Sequence, residues 1–266
     1  METMKLTEKR KSSKGVIIGL LLFFIIGGTI LFFAMRAEEE PAAVGSVPTS
    51  TQSESLVDVE KENNNSYEEN KKIEYKVEDK TITDKSNNKM KANVTMPVIS
   101  VSGEELTSVN DEISKYYTEM FSSLKEKMSS AKSTYTYTVT YNVYDNMVGN
   151  KKIISVTIYE RILDDSAKKN TMDKIKTYNI DAKTKENITQ SSSIAQELFG
   201  KDYKTIIKNN LKDYVVEKKM MSESEFNYTY TGLNPFYIKN DEFHLVFNEG
   251  ELVNEKYGVI DITITK

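Results

Sequence analysis

The chain has 266 residues, a formal net charge of −4, no cysteine and a single histidine, His244. Without cysteine there are no disulfides, no thiol nucleophile and no Cys-ligated zinc, and the length allows one or two domains. Charge divides the chain: residues 1–36 carry six Lys/Arg against two Asp/Glu, residues 37–70 carry one against nine, and residues 71–266 balance at 29 each. A balanced head argues against a nucleic-acid partner, which would need a basic excess.

In chain order, the first element is GVIIGLLLFFIIGGTILFFAM, residues 15–35, which is uncharged and long enough to span a bilayer core as a helix. Lys5, Lys9, Arg10, Lys11 and Lys14 precede it, and Glu38, Glu39 and Glu40 follow. The positive-inside bias therefore predicts a cell-membrane, single-pass protein with residues 1–14 as a cytoplasmic tail and the C-terminal part outside. A cleaved signal peptide fits less well, because the apolar run is too long and no small-x-small site follows it. Gly15 and Gly19 have the spacing of a helix-pairing motif, but one such pair at the end of a span is a weak signal, and ordinary small membrane residues are the preferred reading. Residues 37–70 are acidic and poor in large apolar side chains, which predicts a disordered linker that holds a folded head off the bilayer. Four Asn-x-Ser/Thr sequons, at Asn64, Asn93, Asn187 and Asn227, would matter only in a glycosylating pathway.

Residues 71–266 predict one α+β domain, an antiparallel sheet packed on one or two helices. KIEYKVEDKTI (72–82) and MKANVTMPVI (90–99) alternate apolar and polar residues and read as a hairpin. Ser102, with Glu105 three residues on, has the form of a capping box. Leu106, Val109, Ile113, Tyr117, Met120, Leu124 and Met128 then recur at helical spacing. In STYTYTVTYNVYDN (133–146), Tyr135, Tyr137, Val139, Tyr141 and Val143 take one strand face, and Thr134, Thr136, Thr138 and Thr140 take the other. IISVTIYERIL (153–163) runs back, DDSAKKNTMD forms a polar loop, and KIKTYNIDA (174–182) is a further strand ending in a turn at KTKEN. Helices near 192–199 and 201–217 follow, the second carrying Ile206, Ile207, Leu211, Tyr214 and Val215. The strands FYI, FHLVF and VIDITI close the chain, the last two joined by a bend that uses Gly250 and Gly258.

With these elements placed, the chain resembles the extracytoplasmic domain of unknown function shared by the lysozyme-sensing anti-sigma factor RsiV and the N-terminal part of the peptidoglycan deacetylase PdaC. The resemblance spans about residues 72–264. It rests on MPVIS, LTSVNDEISKYY, YTYTVTYNVYDNMVGNKKIISVTIYE, KTYNIDAKTKENIT with a helix ending LFG, and FYIKNDEFHLVFNEGELVNEKYGVIDITI. DDSAKKNTMD departs from the Gly-Gly-Ala-His-like loop often found in that family. The resemblance implies a sensing or binding module. The 14 residues before the span are short for a sigma-binding segment, and the deacetylase's catalytic part would lie beyond Lys266, so the expected form is the module without either effector.

The chemistry visible in the sequence is sparse. One histidine and no cysteine leave only carboxylates for a metal, and no metal or cofactor is expected. Asp164–Asp165, Asp241–Glu242 and Glu249–Glu251 are the candidates for a glycosidase-type pair, and the alternative for each is a polar turn. Ser191, Ser192 and Ser193 have no acid or base motif beside them. His244 sits in a strand whose Phe243, Leu245 and Phe247 point one way and whose His244, Val246 and Asn248 point the other. A surface or partly packed structural role is expected for it. The sequence therefore predicts no catalytic, cofactor or metal residue and singles out no ligand-contacting one. It points to a membrane-anchored, non-catalytic binding or sensing module at a bacterial envelope, with a lysozyme-like secreted protein or peptidoglycan as partner. The alternatives are a regulator released by proteolysis and a wall-active hydrolase.

Overall fold

The computed structural model describes residues 65–87 and 89–266. The expected tail (1–14), membrane helix (15–35) and linker up to residue 64 lie outside the described residues. Among those described, no helix is long and apolar enough to cross a membrane. The end of the expected disordered linker belongs to the fold instead. Residues 65–71 are helical, and the buried Asn70 donates from Nδ2 to the Asn150 carbonyl at 2.6 Å.

The architecture is α+β. Strands β1 (Tyr75–Asn87) and β2 (Met90–Val101) form the expected antiparallel hairpin. The short β3 (Glu104–Glu105) folds back on β2 through Ser102 and Gly103, whose φ values are 51° and 77°. Two successive left-handed residues are what a two-residue type I′ connection requires. This overturns the capping-box expectation, because Ser102 is consumed by that turn. Helix α1 (Thr107–Met128) starts at Leu106 with no side-chain cap. Asn110, buried in its first turns, serves the strand: Oδ1 accepts the Ile99 N–H at 2.9 Å and Nδ2 donates to the Ile99 carbonyl at 3.0 Å. A carboxamide that pairs both ways with one residue acts as one rung of a missing strand.

Strands β4 (Tyr135–Val148), β5 (Lys151–Asp164) and β6 (Lys169–Asp181) complete the large sheet, in the order β1-β2-β4-β5-β6. All pairs are antiparallel except β2–β4, which runs parallel from Met90↔Tyr135 to Val94↔Val139. The sheet is therefore mixed, and the all-antiparallel expectation is corrected. The reason is the length of α1: 22 residues at about 1.5 Å each return the chain roughly 33 Å, enough for β4 to begin beside the start of β2. The polar loop expected at DDSAKKNTMD is also shorter, since the hairpin turns within 165–168 and β6 has begun by Lys169. Val109, Ile113, Tyr117 and Leu124 of α1 pack on Ile99, Tyr137, Val139, Val156 and Ile158, so the predicted helical stripe is the first core.

A second layer departs from the single-sheet expectation. Helices α2 (Ser191–Phe199) and α3 (Tyr203–Glu217) cover a separate three-stranded sheet, β7 (Phe236–Lys239), β8 (Glu242–Phe247) and β9 (Ile260–Ile264). Ile194, Ile207, Leu211 and Val215 meet Phe236, Phe243, Leu245, Phe247 and Ile262 in a second core. The last strands cannot simply extend the large sheet because the outer edge of β6 is occupied. Ile188 N–H donates to the Asn179 carbonyl at 2.6 Å, Asn187 Oδ1 accepts the Asn179 N–H at 2.9 Å, and Asn248 Oδ1 accepts the Ile175 N–H at 2.8 Å.

Candidate functional site

The face of the large sheet turned away from α1 can be read as rungs across β4, β5 and β6. The registers align Thr138–Arg161–Asp173, Thr140–Tyr159–Ile175, Asn142–Thr157–Thr177 and Tyr144–Ser155–Asn179. The polar face of the Thr-rich strand therefore continues across its neighbours. β7 lies over the rungs nearest the β4–β5 turn. Pairing with β8 leaves the Phe236 and Ile238 backbone groups facing the large sheet, and its side chains satisfy them. Phe236 N–H donates to Thr177 Oγ1 (3.2 Å) and Ile238 N–H to Ser155 Oγ (3.0 Å), while Asn179 and Asn146 donate to the Phe236 and Ile238 carbonyls at 2.7 and 3.0 Å. Ser155 also donates to Asn179 Oδ1 at 2.7 Å. Edge strands need their open groups covered, and buried polar groups need partners.

Past the β7 backbone the same face is covered in part, where Tyr237 and Val246 pack with Ile175 and Tyr159, and it opens from there towards Thr138, Arg161 and Asp173. Thr138, Thr140, Asn142, Tyr159, Arg161, Asp173 and Ile175 of the large sheet, with Val259 and Asp261, line a groove of about 590 Å³. At one end, Asp173 Oδ1 lies 2.6 Å from Arg161 Nε and its Oδ2 accepts the Asn170 side-chain amide at 2.7 Å, so the carboxylate is held from two sides while the guanidinium is largely exposed. At the wall contributed by β9, Asp261 Oδ2 accepts the Tyr237 hydroxyl at 2.6 Å and Oδ1 lies 3.1 Å from His244 Nδ1. Tyr237 stacks on His244 at 4.4 Å between ring centroids and on Tyr144 at 5.7 Å. Burial, then the hydrogen bond to the Asp261 carboxylate, push the Tyr237 hydroxyl well above its usual range, so it remains a neutral donor.

His244 is thus buried rather than superficial, with 8% of its surface exposed. Its strand alternates as expected, with Phe243, Leu245 and Phe247 in the second core and Val246 on the opposite face. The carboxylates singled out in the sequence lie in three separate places, at the ends of β5 and β7 and in the turn after β8. Asp164 accepts the Ser166 and Ala167 amides, and these bonds lower its pKa; Asp165 accepts the Thr136 hydroxyl at 2.8 Å. Asp241 and Asn240 are the two left-handed residues of the β7–β8 turn, with φ of 64° and 52°. Glu242 Oε2 lies 3.7 Å from His244 Nε2, and Glu251 accepts the Asn248 amide at 2.7 Å. Ser191 is buried against the Tyr230 hydroxyl at 2.6 Å.

The charged groove residues Asp261, Arg161 and Asp173 escaped sequence reasoning, as did Tyr237, which supports Asp261 from behind. The available signal was alternation, since Asp261 interrupts the apolar VIDITI at a position facing away from the second core. What sequence could not supply is that Asp261 lies diagonally from His244 across β8 and β9, where His244 pairs with Thr263 and Val246 with Asp261.

A second polar cluster lies under α1. Glu160, 3% exposed, accepts the Tyr137 hydroxyl at 2.8 Å and the Tyr116 hydroxyl at 3.4 Å. Burial raises the Glu160 pKa, opposed by the Tyr137 bond and by Lys174. Tyr116 is pushed up to about 12, mainly by burial and then by the charge of Glu160.

No family model matches the chain, and no curated protein matches it. Among solved structures it is similar to a DUF3298 family member from Bacteroides fragilis, at 15% identity over 73% of this chain and 90% of that one, with a TM-score of 0.41. It is also similar to a DUF3298 family protein from Pseudomonas aeruginosa, at 10% identity over 72% and 90%, with a TM-score of 0.45. Both belong to a domain family of unknown function. Likeness at this level leaves the function to the residues themselves.

Proposed function

We propose that the protein is a membrane-anchored, non-catalytic binding module facing outward from a bacterial cell membrane. Residues 15–35 supply the anchor and 71–266 the head. The observation that carries the reading is the open polar groove, whose charged groups are already held: Asp173 by Arg161, and Asp261 by Tyr237 and His244. Side chains locked by neighbours recognise a ligand with little further ordering cost.

The position of the groove fits an anchored head. The chain enters the fold at the β4–β5 turn, where Asn70 bonds Asn150 and Lys152 Nζ donates to the Ile73 carbonyl at 2.9 Å. From Val148 back to Thr138 the strand rises ten residues, roughly 33 Å, so the far end of the groove lies at the opposite end of β4 from the Asn70–Asn150 contact. The partner class taken from the resemblance is a lysozyme-like protein or a wall polymer. The test is co-sedimentation and pull-down of the purified protein with lysozyme and with isolated peptidoglycan. Saturable binding without release of soluble wall fragments is the expected result. Wall hydrolysis that disappears on substitution of a head carboxylate would overturn the reading.

A further inference from the structure

We infer that the groove takes a linear, uncharged, hydroxyl-rich glycan lying along β6; this rests on the binding-module reading above and assigns its ligand. Size is the first argument. A volume of about 590 Å³ falls within the roughly 300–1,000 Å³ of small-ligand sites, whereas a protein partner covers on the order of 800 Å² of surface. Shape is the second. A further groove of about 700 Å³ follows the first along the same strand, with Lys169, Asn170, Thr171, Glu249 and Gly258 on its walls. Thr171 precedes Asp173 on β6 and Gly258 precedes Val259, so the two grooves adjoin at both walls. From Lys169 to Ile175 the path is about 20 Å, which suits a chain of sugars better than a single ring.

Chemistry is the third argument. The lining of the first groove carries Arg161 and Lys174 against Asp173, Asp261 and Glu160, the last already engaged by the Tyr137 hydroxyl, so the charges nearly balance and an uncharged ligand meets the least opposition. Thr138, Thr140 and Asn142 offer both donors and acceptors in a row. Asp261 has about four acceptor positions and engages Tyr237 and His244 with part of them; its side chain lines the groove and is one-third exposed, and vicinal hydroxyls are donors that match a carboxylate. Tyr159 adds an aromatic side chain to the floor, amphipathic like the ring faces of a sugar. An apolar ligand would strand these polar groups, and a strongly charged one would break a held pair.

The experiment is isothermal titration of the full-length chain in detergent micelles with two neutral β-1,4-linked tetrasaccharides, one of glucose and one of N-acetylglucosamine, and with glucose alone. Lysozyme is titrated in parallel. Saturable binding of at least one tetrasaccharide is expected, about tenfold or more tighter than the monosaccharide. The T138V/T140V double variant and Asp261→Asn should each weaken it about tenfold, the threonine variant with a thermal midpoint near that of the parent. The threonine variant keeps strand propensity and touches neither Tyr237 nor His244, so it reads the groove even if Asp261→Asn loosens the fold. Lysozyme binding with no tetrasaccharide binding would overturn the glycan assignment and leave the binding module standing. Tetrasaccharide binding unchanged in both variants would remove the ligand from this groove. Cleavage of a tetrasaccharide would overturn the non-catalytic reading itself.

Discussion

Asn179→Ala tests how the two layers are joined. Asn179 is 2% exposed, donates to the Phe236 carbonyl at 2.7 Å and accepts from Ser155 at 2.7 Å. Removing the carboxamide leaves the Phe236 carbonyl buried without this donor and takes one partner from the Ser155 hydroxyl. The lost bond is worth about 1 kcal/mol, and each buried group left unsatisfied costs about 1–3 kcal/mol. Ser155 still accepts the Ile238 N–H, and its O–H, which loses its acceptor, can rotate, so the Phe236 carbonyl is the main orphan and the expected loss is about 2–4 kcal/mol. For a head of this size that corresponds to roughly 5–15 °C in the thermal midpoint. Asn179→Asp separates donor from volume, since it keeps the acceptor for Ser155 and cannot donate to Phe236; it should be at least as damaging. The assay is thermal unfolding combined with native-state hydrogen exchange. Amides of β7 and β8 should lose protection more than those of β1 and β2, because the change frees the small sheet from the large one. A loss below about 0.5 kcal/mol, or equal loss of protection in both sheets, would refute this account of the joint.

Asn110→Ala should cost about 2–3 kcal/mol in denaturant unfolding, because it orphans the Ile99 N–H, whereas the Ile99 carbonyl keeps the Leu106 amide; a neutral result would mean that β2 does not need this rung. Glu160→Gln should raise the thermal midpoint at pH 7, since burial dominates the raised pKa of that carboxyl. The sign follows from linkage: a folded-state acid pKa above the ordinary 4.5 means that stability is greatest below that value and falls as pH rises through the folded pKa. The Gln variant should lack this fall, and parallel stability–pH curves for parent and variant would contradict the prediction. Gly232→Ala combines a left-handed φ of 82° with a new Cβ about 2.7 Å from Ser192 Cβ, so it should destabilise by about 1–3 kcal/mol; unchanged thermal unfolding would show that the 231–234 loop moves away freely.

Much of this architecture is legible in local pattern. The Tyr/Thr alternation of β4, the helical stripe from Leu106 to Met128 and the alternation of FHLVF each follow from a period of 2 or 3.6, which one segment carries by itself. The boundaries that shifted did so for local reasons that propensity did not weigh. Ser102 looks like a cap in isolation, but beside Gly103 it makes a tighter connection and gives β2 an extra rung.

The pairing of segments was not legible. Periodicity states that Thr138 and Thr140 share a face, but not that Arg161, Tyr159, Asp173 and Ile175 continue it, because register depends on partners far away in the chain. The histidine illustrates the division. Alternation alone turned His244 away from the Phe243–Phe247 core, and the sequence fixes that direction for any β-strand. Only the tertiary structure decided what it would meet there, because Asp261 and Tyr237 reach it from strands on either side. The same holds for the asparagines, which sequence reads as turn formers. Asn110, Asn179 and Asn248 become strand surrogates only where folding brings an unpaired backbone edge to them, since a carboxamide gains most where a buried peptide group would otherwise lack a partner.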